Sequence, residues 1–432
     1  MKIAVIGVGY VGLVAGACFA SFNMDVICID QDAQKIDNLK RNIIPIYEPG
    51  LEEMVVRASK RGNLKFSTSL MDVNDAEVII IAVGTPSLPT GEANLSYLMK
   101  AIRDVANVAT GYKSLVIKST VPIGTASLVR NELAAIGVAD RFDVISNPEF
   151  LREGVAVYDF LKPDRIVIGA NSQRARKIAE ALYQPLTSQD VPILITDNPT
   201  AETIKYASNA YLAMRVAYIN QIADLCEAAG ATIDEVAKGM GLDKRIGGHY
   251  LHAGPGYGGS CFPKDTKAIS YIAKEKNVDL SIVEAVITAN DARKQKLVER
   301  IINVFNKYGC KKIAILGATF KAETDDMRDS ASLIIVPALL KAGFEVRCYD
   351  PANPKDAHEL LGVALQSSMK DALEGVDAAL IITEWPEFQL FGLDQLVAKL
   401  NKKVLFDLRN LFAIEDIKRA DINYYSIGRP DA

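Results

Sequence analysis

The chain reads as an α/β protein: two doubly wound parallel sheets joined by an all-helical middle that contains one long helix. Three observations predict this. Short β-branched runs alternate with amphipathic stretches over the first 195 residues, the pattern of a parallel sheet covered by helices on both faces. Apolar residues then keep helical spacing from Pro199 to Gly230. Finally, Lys312-Ile313-Ala314-Ile315-Leu316-Gly317 echoes Lys2-Ile3-Ala4-Val5-Ile6-Gly7, and the run 344–349 ending in Asp350 echoes 26–29 ending in Asp30. Domains are therefore expected at 1–198, 199–310 and 311–432.

In the first domain, strands are expected at 2–6, 25–29, 78–83, 114–117, 143–146 and 165–168. Asn198-Pro199 opens the long helix, with Asn198 as cap and Pro199 at the first helical position. Its stripe is Ile204, Ala207, Tyr211, Met214, Ala217, Tyr218, Ile222 and Leu225. Turn-rich stretches follow, 245–264 among them, and then a helix over about 280–308. The echo of the first β-α-β unit begins the third domain.

Composition narrows the function. The 432 residues carry 49 Lys+Arg against 53 Asp+Glu, a net charge of −4. No cationic excess is available to neutralise a nucleic-acid backbone, so no nucleic-acid partner is expected. No run of about 20 apolar residues occurs, so no membrane span is expected. The N-terminus runs straight into a strand rather than a signal h-region. The six cysteines stand far apart without a Cys-x-x-Cys pair, and there are three histidines. Neither a disulfide framework nor a metal site is expected, and the chain reads as cytoplasmic with reduced thiols.

Gly7-Val8-Gly9-Tyr10-Val11-Gly12 follows the first strand and opens a helix. Gly7 permits the turn, Gly9 lets the backbone approach a pyrophosphate, and Gly12 allows close helix–strand contact. Asp30 closes the second strand 18 residues after Gly12. An acidic residue there accepts from a ribose diol and repels a 2′-phosphate, so the pattern is a Rossmann-like site for NAD rather than NADP.

Other stretches carry weaker signals. Glu149 and Glu153, in Asn147-Pro148-Glu149-Phe150-Leu151-Arg152-Glu153-Gly154, share a helical face at the carboxyl edge of the sheet, though a solvated acidic helix start fits equally well. The hydroxyls of Ser119-Thr120-Val121-Pro122 fit a cap or a site. Lys205 and Asn209 stand four apart on the long helix. Most helix lysines are solvated, but the broad apolar stripe around Lys205 also fits a half-buried amine. The richest stretch is Gly254-Pro255-Gly256-Tyr257-Gly258-Gly259-Ser260-Cys261-Phe262-Pro263-Lys264-Asp265, with four glycines in six positions. Pro263 starts a helix well, which puts Cys261 at a helix N-terminus near Lys264, where a thiolate is favoured. Asp265, one turn on, is placed to orient the thiol or a water.

Taken together these motifs, with Gly84-Thr85-Pro86 and Phe320-Lys321-Ala322-Glu323-Thr324-Asp325-Asp326-Met327-Arg328, resemble the UDP-glucose/GDP-mannose dehydrogenase family, in order and over the whole chain. The resemblance implies oxidation of UDP-glucose to UDP-glucuronate in two NAD-dependent steps, through a Cys261 thiohemiacetal and thioester that water hydrolyses. It implies Lys205 and Asn209 at the oxyanion, Glu149 as acid or base, and Asp265 and Thr120 ordering water. NAD contacts are implied at Gly7, Gly9, Tyr10, Val11, Gly12, Asp30, Lys35, Thr85, Pro86, Thr120, Glu153, Lys264 and Arg328. Implied substrate contacts begin with Glu149, Phe150, Leu151, Arg152, Glu153, Lys205 and Asn209. They continue through Tyr250, His252, Gly254, Gly256, Tyr257 and Gly258 to Phe320, Lys321 and Arg409. The long helix carries more apolar surface than one domain interface needs, so a homodimer packed through part of it is expected, and the resemblance implies that Arg245 reaches across it to the partner's substrate. Alternatives are the same chemistry on GDP-mannose, UDP-N-acetylmannosamine or UDP-N-acetylglucosamine, or a one-step β-hydroxyacid-type dehydrogenase that needs the lysine but not Cys261. A protein that only senses NAD is the non-enzymatic alternative.

Overall fold

The computed structural model describes residues 1–430, which separate into two compact units. The first holds residues 1–208 with 271–278, and the second holds 209–270 with the described residues from 279 onward.

The first unit is built on eight strands: β1 (Lys2–Ile6), β2 (Asp25–Ile29), β3 (Leu64–Ser67), β4 (Val78–Ile81), β5 (Lys113–Ile117), β6 (Phe142–Ser146), β7 (Ile166–Gly169) and β8 (Ile193–Thr196). Their order across the sheet is β3-β2-β1-β4-β5-β6-β7-β8. All neighbours run parallel except β6 and β7, which meet antiparallel at Ser146 and Gly169. Side chains alternate between the faces of a strand, and β1 divides accordingly. Ile3 and Val5 join the core under the helix Tyr10–Ser21, while Ala4 and Ile6 join the core under Ser96–Val108 and Thr125–Ile136. The chain order reverses beside β1, so the carboxyl ends of β1 and β4 flank the crevice where such sheets take ligands.

The second unit contains β9 (Lys312–Leu316), β10 (Glu345–Tyr349), β11 (Ala378–Ile381), β12 (Val404–Asp407) and β13 (Asn423–Tyr425), all parallel in the order β10-β9-β11-β12-β13. One face packs against the helix Ser281–Lys307 and the C-terminal half of the long helix through Leu297, Ile301, Phe305, Ile219 and Ala223. The internal echo has a geometric counterpart. Gly7 N–H donates to Ile29 O and Gly317 N–H to Tyr349 O, both at 2.8 Å, with both glycines at positive φ. Asp30 accepts from Val8 N–H and Asp350 accepts from Ala318 N–H. The repeat then diverges. A helix begins at Tyr10 in the first unit, whereas a long loop precedes the helix Ser332–Lys341 in the second.

The long helix spans Asn198–Ala229. Its start differs from the sequence expectation in one respect: Asp197, not Asn198, provides the cap, its Oδ1 accepting from Thr200 N–H at 2.8 Å. Asn198 is instead consumed by the sheet, its Nδ2 donating to Gly169 O and Ser146 Oγ. Among the described residues no helix is long and apolar enough to cross a membrane.

Candidate active site

The dinucleotide fingerprint has the geometry its glycines predict. A Cβ on Gly12 would stand 1.9 Å from Gly7 O, so only glycine lets the helix lie this close to the turn. A Cβ on Gly9 would meet nothing within 4 Å, leaving open space above an accessible backbone. Asp30 is held by Val8 N–H on one oxygen and Asp32 N–H on the other, with Lys35 at 3.5 Å. Open backbone at a helix N-terminus and a fixed carboxylate beside it fit a pyrophosphate and a ribose diol. Tyr10 and Gly154 are joined through Glu48, which takes hydrogen bonds from the Tyr10 hydroxyl and Gly154 N–H. Thr85 donates to Thr120 O at 2.7 Å, tying the loops after β4 and β5 together.

At the carboxyl end of β6 the structure brings Glu149 and Lys205 into contact. Lys205 Nζ donates to Glu149 Oε1 at 3.1 Å, and the two residues are 3% and 7% exposed. The other carboxylate oxygen accepts from Leu151 N–H at 2.6 Å. Phe150 lies beneath the Lys205 ammonium at 5.3 Å and stacks on the Arg165 guanidinium. A buried, paired amine and carboxylate can pass a proton without the delay of bulk water. Arg152 is turned away into a fork-shaped pair with Asp159. Glu202, which sequence reasoning did not single out, anchors this part of the long helix. Its carboxylate accepts from Gly124 N–H, Ala126 N–H and Ser146 Oγ. Burial pushes that carboxyl up, against the pull of these donors.

The second unit carries the cysteine. Cys261 O accepts from Asp265 N–H at 2.8 Å, so the thiol stands at the cap of the helix Phe262–Glu275, with Ser260 Oγ 3.4 Å from Sγ. The five other cysteines are buried, and Cys261 alone is half-exposed. Burial pushes the Cys18 and Cys28 thiols up to about 12, which makes them inert packing groups. Asp265 is fully buried and bridges Asn209 Nδ2, at 2.6 Å, and the Lys264 ammonium.

The glycine loop before Cys261 is held by residues that the sequence did not flag. Asn290 accepts from Tyr257 N–H at 2.8 Å and donates to Tyr257 O at 3.1 Å. Asn220 accepts from Gly254 N–H, while Arg293 Nε donates to Gly254 O. Gly258 and Gly259 are pressed against the segment 320–329, where a Cβ would stand 2.4 Å from Asp329 O or 2.7 Å from the Phe320 ring. Arg409 donates to Phe320 O and Ile382 O and lies 3.5 Å from the position a Gly254 Cβ would take, so Arg409, Phe320 and the glycine loop are assembled together. Tyr250, at φ 60°, packs on Phe262. His252 is exposed. Lys321 Nζ lies 5.5 Å from the Phe320 ring centroid. Arg328 closes on Asp326, and Arg245, 89% exposed, pairs with Asp243 in its own loop. Among the described residues no cluster of His, Cys, Asp or Glu could hold a metal.

A parallel sheet with this fingerprint at its crevice fits an NAD-dependent dehydrogenase. Comparison with known proteins gives the family. The chain matches its NAD-binding domain over residues 1–187, its central domain over 199–292 and its UDP-binding domain over 314–414. A UDP-glucose 6-dehydrogenase of Rhizobium meliloti (strain 1021) is 46% identical, with both chains covered in full. One of Bacillus subtilis (strain 168) is 44% identical over 99% of this chain and 93% of its own. Among solved structures, a UDP-glucose dehydrogenase of Pyrobaculum islandicum superposes with a TM-score of 0.89 at 36% identity, covering 98% of this chain and 96% of the other. The chain belongs to the UDP-glucose/GDP-mannose dehydrogenase family, and NAD is its cofactor.

Proposed function

We propose that the protein oxidises UDP-glucose to UDP-glucuronate in two NAD-dependent steps, with Cys261 carrying the carbon between them. The observation that carries this reading is the thiol itself, half-exposed at a helix cap beside the Asn209–Asp265–Lys264 cluster. NAD supplies a hydride acceptor at each oxidation. In the first, the C6 alcohol loses a proton and a hydride to become an aldehyde: Lys205 passes its own proton to Glu149 and takes the alcohol's, and Glu149 gives its proton up to solvent before the hydrolysis step. The Cys261 thiolate then forms a C–S bond to the aldehyde carbon, and Lys205 and Asn209 donate to the resulting oxyanion. Loss of a second hydride gives the thioester. Water, deprotonated by Glu149 and ordered by Asp265 and Thr120, attacks the thioester; the C–S bond breaks, and carboxylate and thiolate are released.

Lys321 and Arg409 would neutralise the UDP pyrophosphate, with the loop from His252 to Gly258 around the sugar. Tyr211, Tyr218 and Leu225 recur every seventh residue on the long helix and are exposed. This supports a homodimer, from which the solvent-extended Arg245 would reach the partner's substrate. The free thiols of all six cysteines support a cytoplasmic location.

The test is a panel of nucleotide sugars read by NADH absorbance. Two NADH per UDP-glucose, with lower turnover on GDP-mannose and the N-acetylated UDP-sugars, is the expected result. One NADH per sugar refutes the covalent second step.

A further inference from the structure

Lys118, the residue after β5, lies inside the first unit, 4% exposed. Its ammonium donates to Asn147 Oδ1 at 3.2 Å and to the Tyr183 hydroxyl at 3.3 Å, and sits over the rings of Phe160 and Tyr183. No described carboxylate lies within ion-pair distance of it. An ammonium buried this way is expensive, and a methionine of similar length would fill the space at less cost. A packing role therefore does not account for it. Burial pushes it down to about 8, and the charged or titratable groups acting on it are Glu149, Lys205 and Cys18.

Two geometric facts connect it to the chemistry. Lys118 and the Tyr183 hydroxyl both donate to Asn147 Oδ1, while Asn147 Nδ2 donates to Val167 O at 3.0 Å and its backbone N–H to Ile117 O. The amide is thereby fixed on both ends, two residues before Glu149. The cation also adds to a cluster in which Lys205 and Glu149 already neutralise each other. The geometry points to Lys118 as a positioning residue of the active site: it locks the turn that carries Glu149 and, while protonated, supplies a positive field to the Glu149–Lys205 pair.

This rests on the roles proposed above for Glu149 and Lys205. The experiment measures the pH dependence of kcat in Lys118→Met and Lys118→Arg at saturating NAD and UDP-glucose. Removing a cation withdraws support from the negative form of a nearby carboxylate and relieves the positive form of a nearby amine. Both limbs of the profile should therefore move to higher pH, by about half a unit or more. In Lys118→Met, kcat at neutral pH should fall about tenfold or more, with KM for NAD unchanged, and Lys118→Arg should return the limbs toward their wild-type positions. Limbs that stay in place in Lys118→Met overturn the inference. Should that variant fail to fold, Tyr183→Phe is read instead. It removes one donor to Asn147 and keeps the charge, so kcat should fall about threefold with the limbs unmoved; wild-type kcat overturns the inference. Glu149→Gln and Lys205→Met serve as controls. If either keeps wild-type turnover, the assigned roles fall and this inference with them. If both lose turnover while Lys118→Met is silent, only this inference falls.

Discussion

Adding one methyl group at Gly12 and one at Gly9 separates what the fingerprint does for folding from what it does for NAD. At Gly12 the new Cβ would stand 1.9 Å from Gly7 O and 3.2 Å from Ala82 Cβ. Ordinary contact begins at 3.4 Å, so the helix must retreat by about 1.5 Å, and no rotamer can relieve a clash with backbone. Overpacking of this kind costs about 1–3 kcal/mol, or several degrees of Tm for a unit of roughly 200 residues. The retreat also moves the N–H groups that face the pyrophosphate, so NAD binding should weaken about tenfold to a hundredfold. At Gly9 the φ of −76° suits alanine and nothing lies within 4 Å. Gly9→Ala should therefore keep the wild-type Tm while its methyl group occupies the approach to the cofactor, weakening NAD about tenfold. Thermal melts and calorimetric titration with NAD read both variants. Wild-type NAD affinity in Gly9→Ala would refute the placement of the cofactor, and an unchanged Tm in Gly12→Ala would refute the packing argument.

Three further outcomes are expected. Cys261→Ser should nearly abolish acid formation while NAD and UDP still bind by titration, because a hydroxyl adds poorly to an aldehyde at neutral pH; undiminished turnover to acid would sink the covalent route. Replacing Asp30 with serine and adding an arginine nearby should weaken NAD and improve NADP in paired KM measurements, and unchanged NAD affinity would place the fingerprint on the wrong strand. Mixing Arg245→Ala with Cys261→Ala protein and allowing subunit exchange should restore activity, since each mixed dimer would hold one site with both residues intact; a mixture that stays inactive after exchange is confirmed by mass assigns Arg245 to its own chain.

Much of the fold could be read from local pattern. The buried strand Val78–Ile81 is a continuous β-branched run, and the long helix ends within a residue of its expected limit. What escaped depends on partners distant in sequence. Leu64–Ser67 alternates apolar and polar residues for only four positions and becomes a strand by pairing along the edge of β2. At the start of the long helix two good capping residues are adjacent, and only the arrival of three strand acceptors decides that Asn198 turns inward and Asp197 caps. The cysteine loop was recognisable from its glycines, yet its supports were not. Asn220, Asn290 and Arg293 are isolated polar residues on helices, identical in sequence to solvated ones until tertiary packing aims them at a peptide.

Those supports have a consequence for motion. A peptide group in a loop normally exchanges its amide hydrogen with solvent as fast as the loop breathes. Tyr257 instead has both its backbone N–H and its C=O engaged by one side-chain amide, as a neighbouring strand would engage them. Gly254 is gripped on the same two groups by two different helices. Freeing Tyr257 requires the helix Ser281–Lys307 to release it, and freeing Gly254 requires both that helix and Asn198–Ala229 to do so; both helices pack against the second sheet. The segment leading to Cys261 thus has the irregular path of a loop and the opening free energy of a core element. The Gly254 and Tyr257 amides should keep their protons on the timescale of the β-sheet.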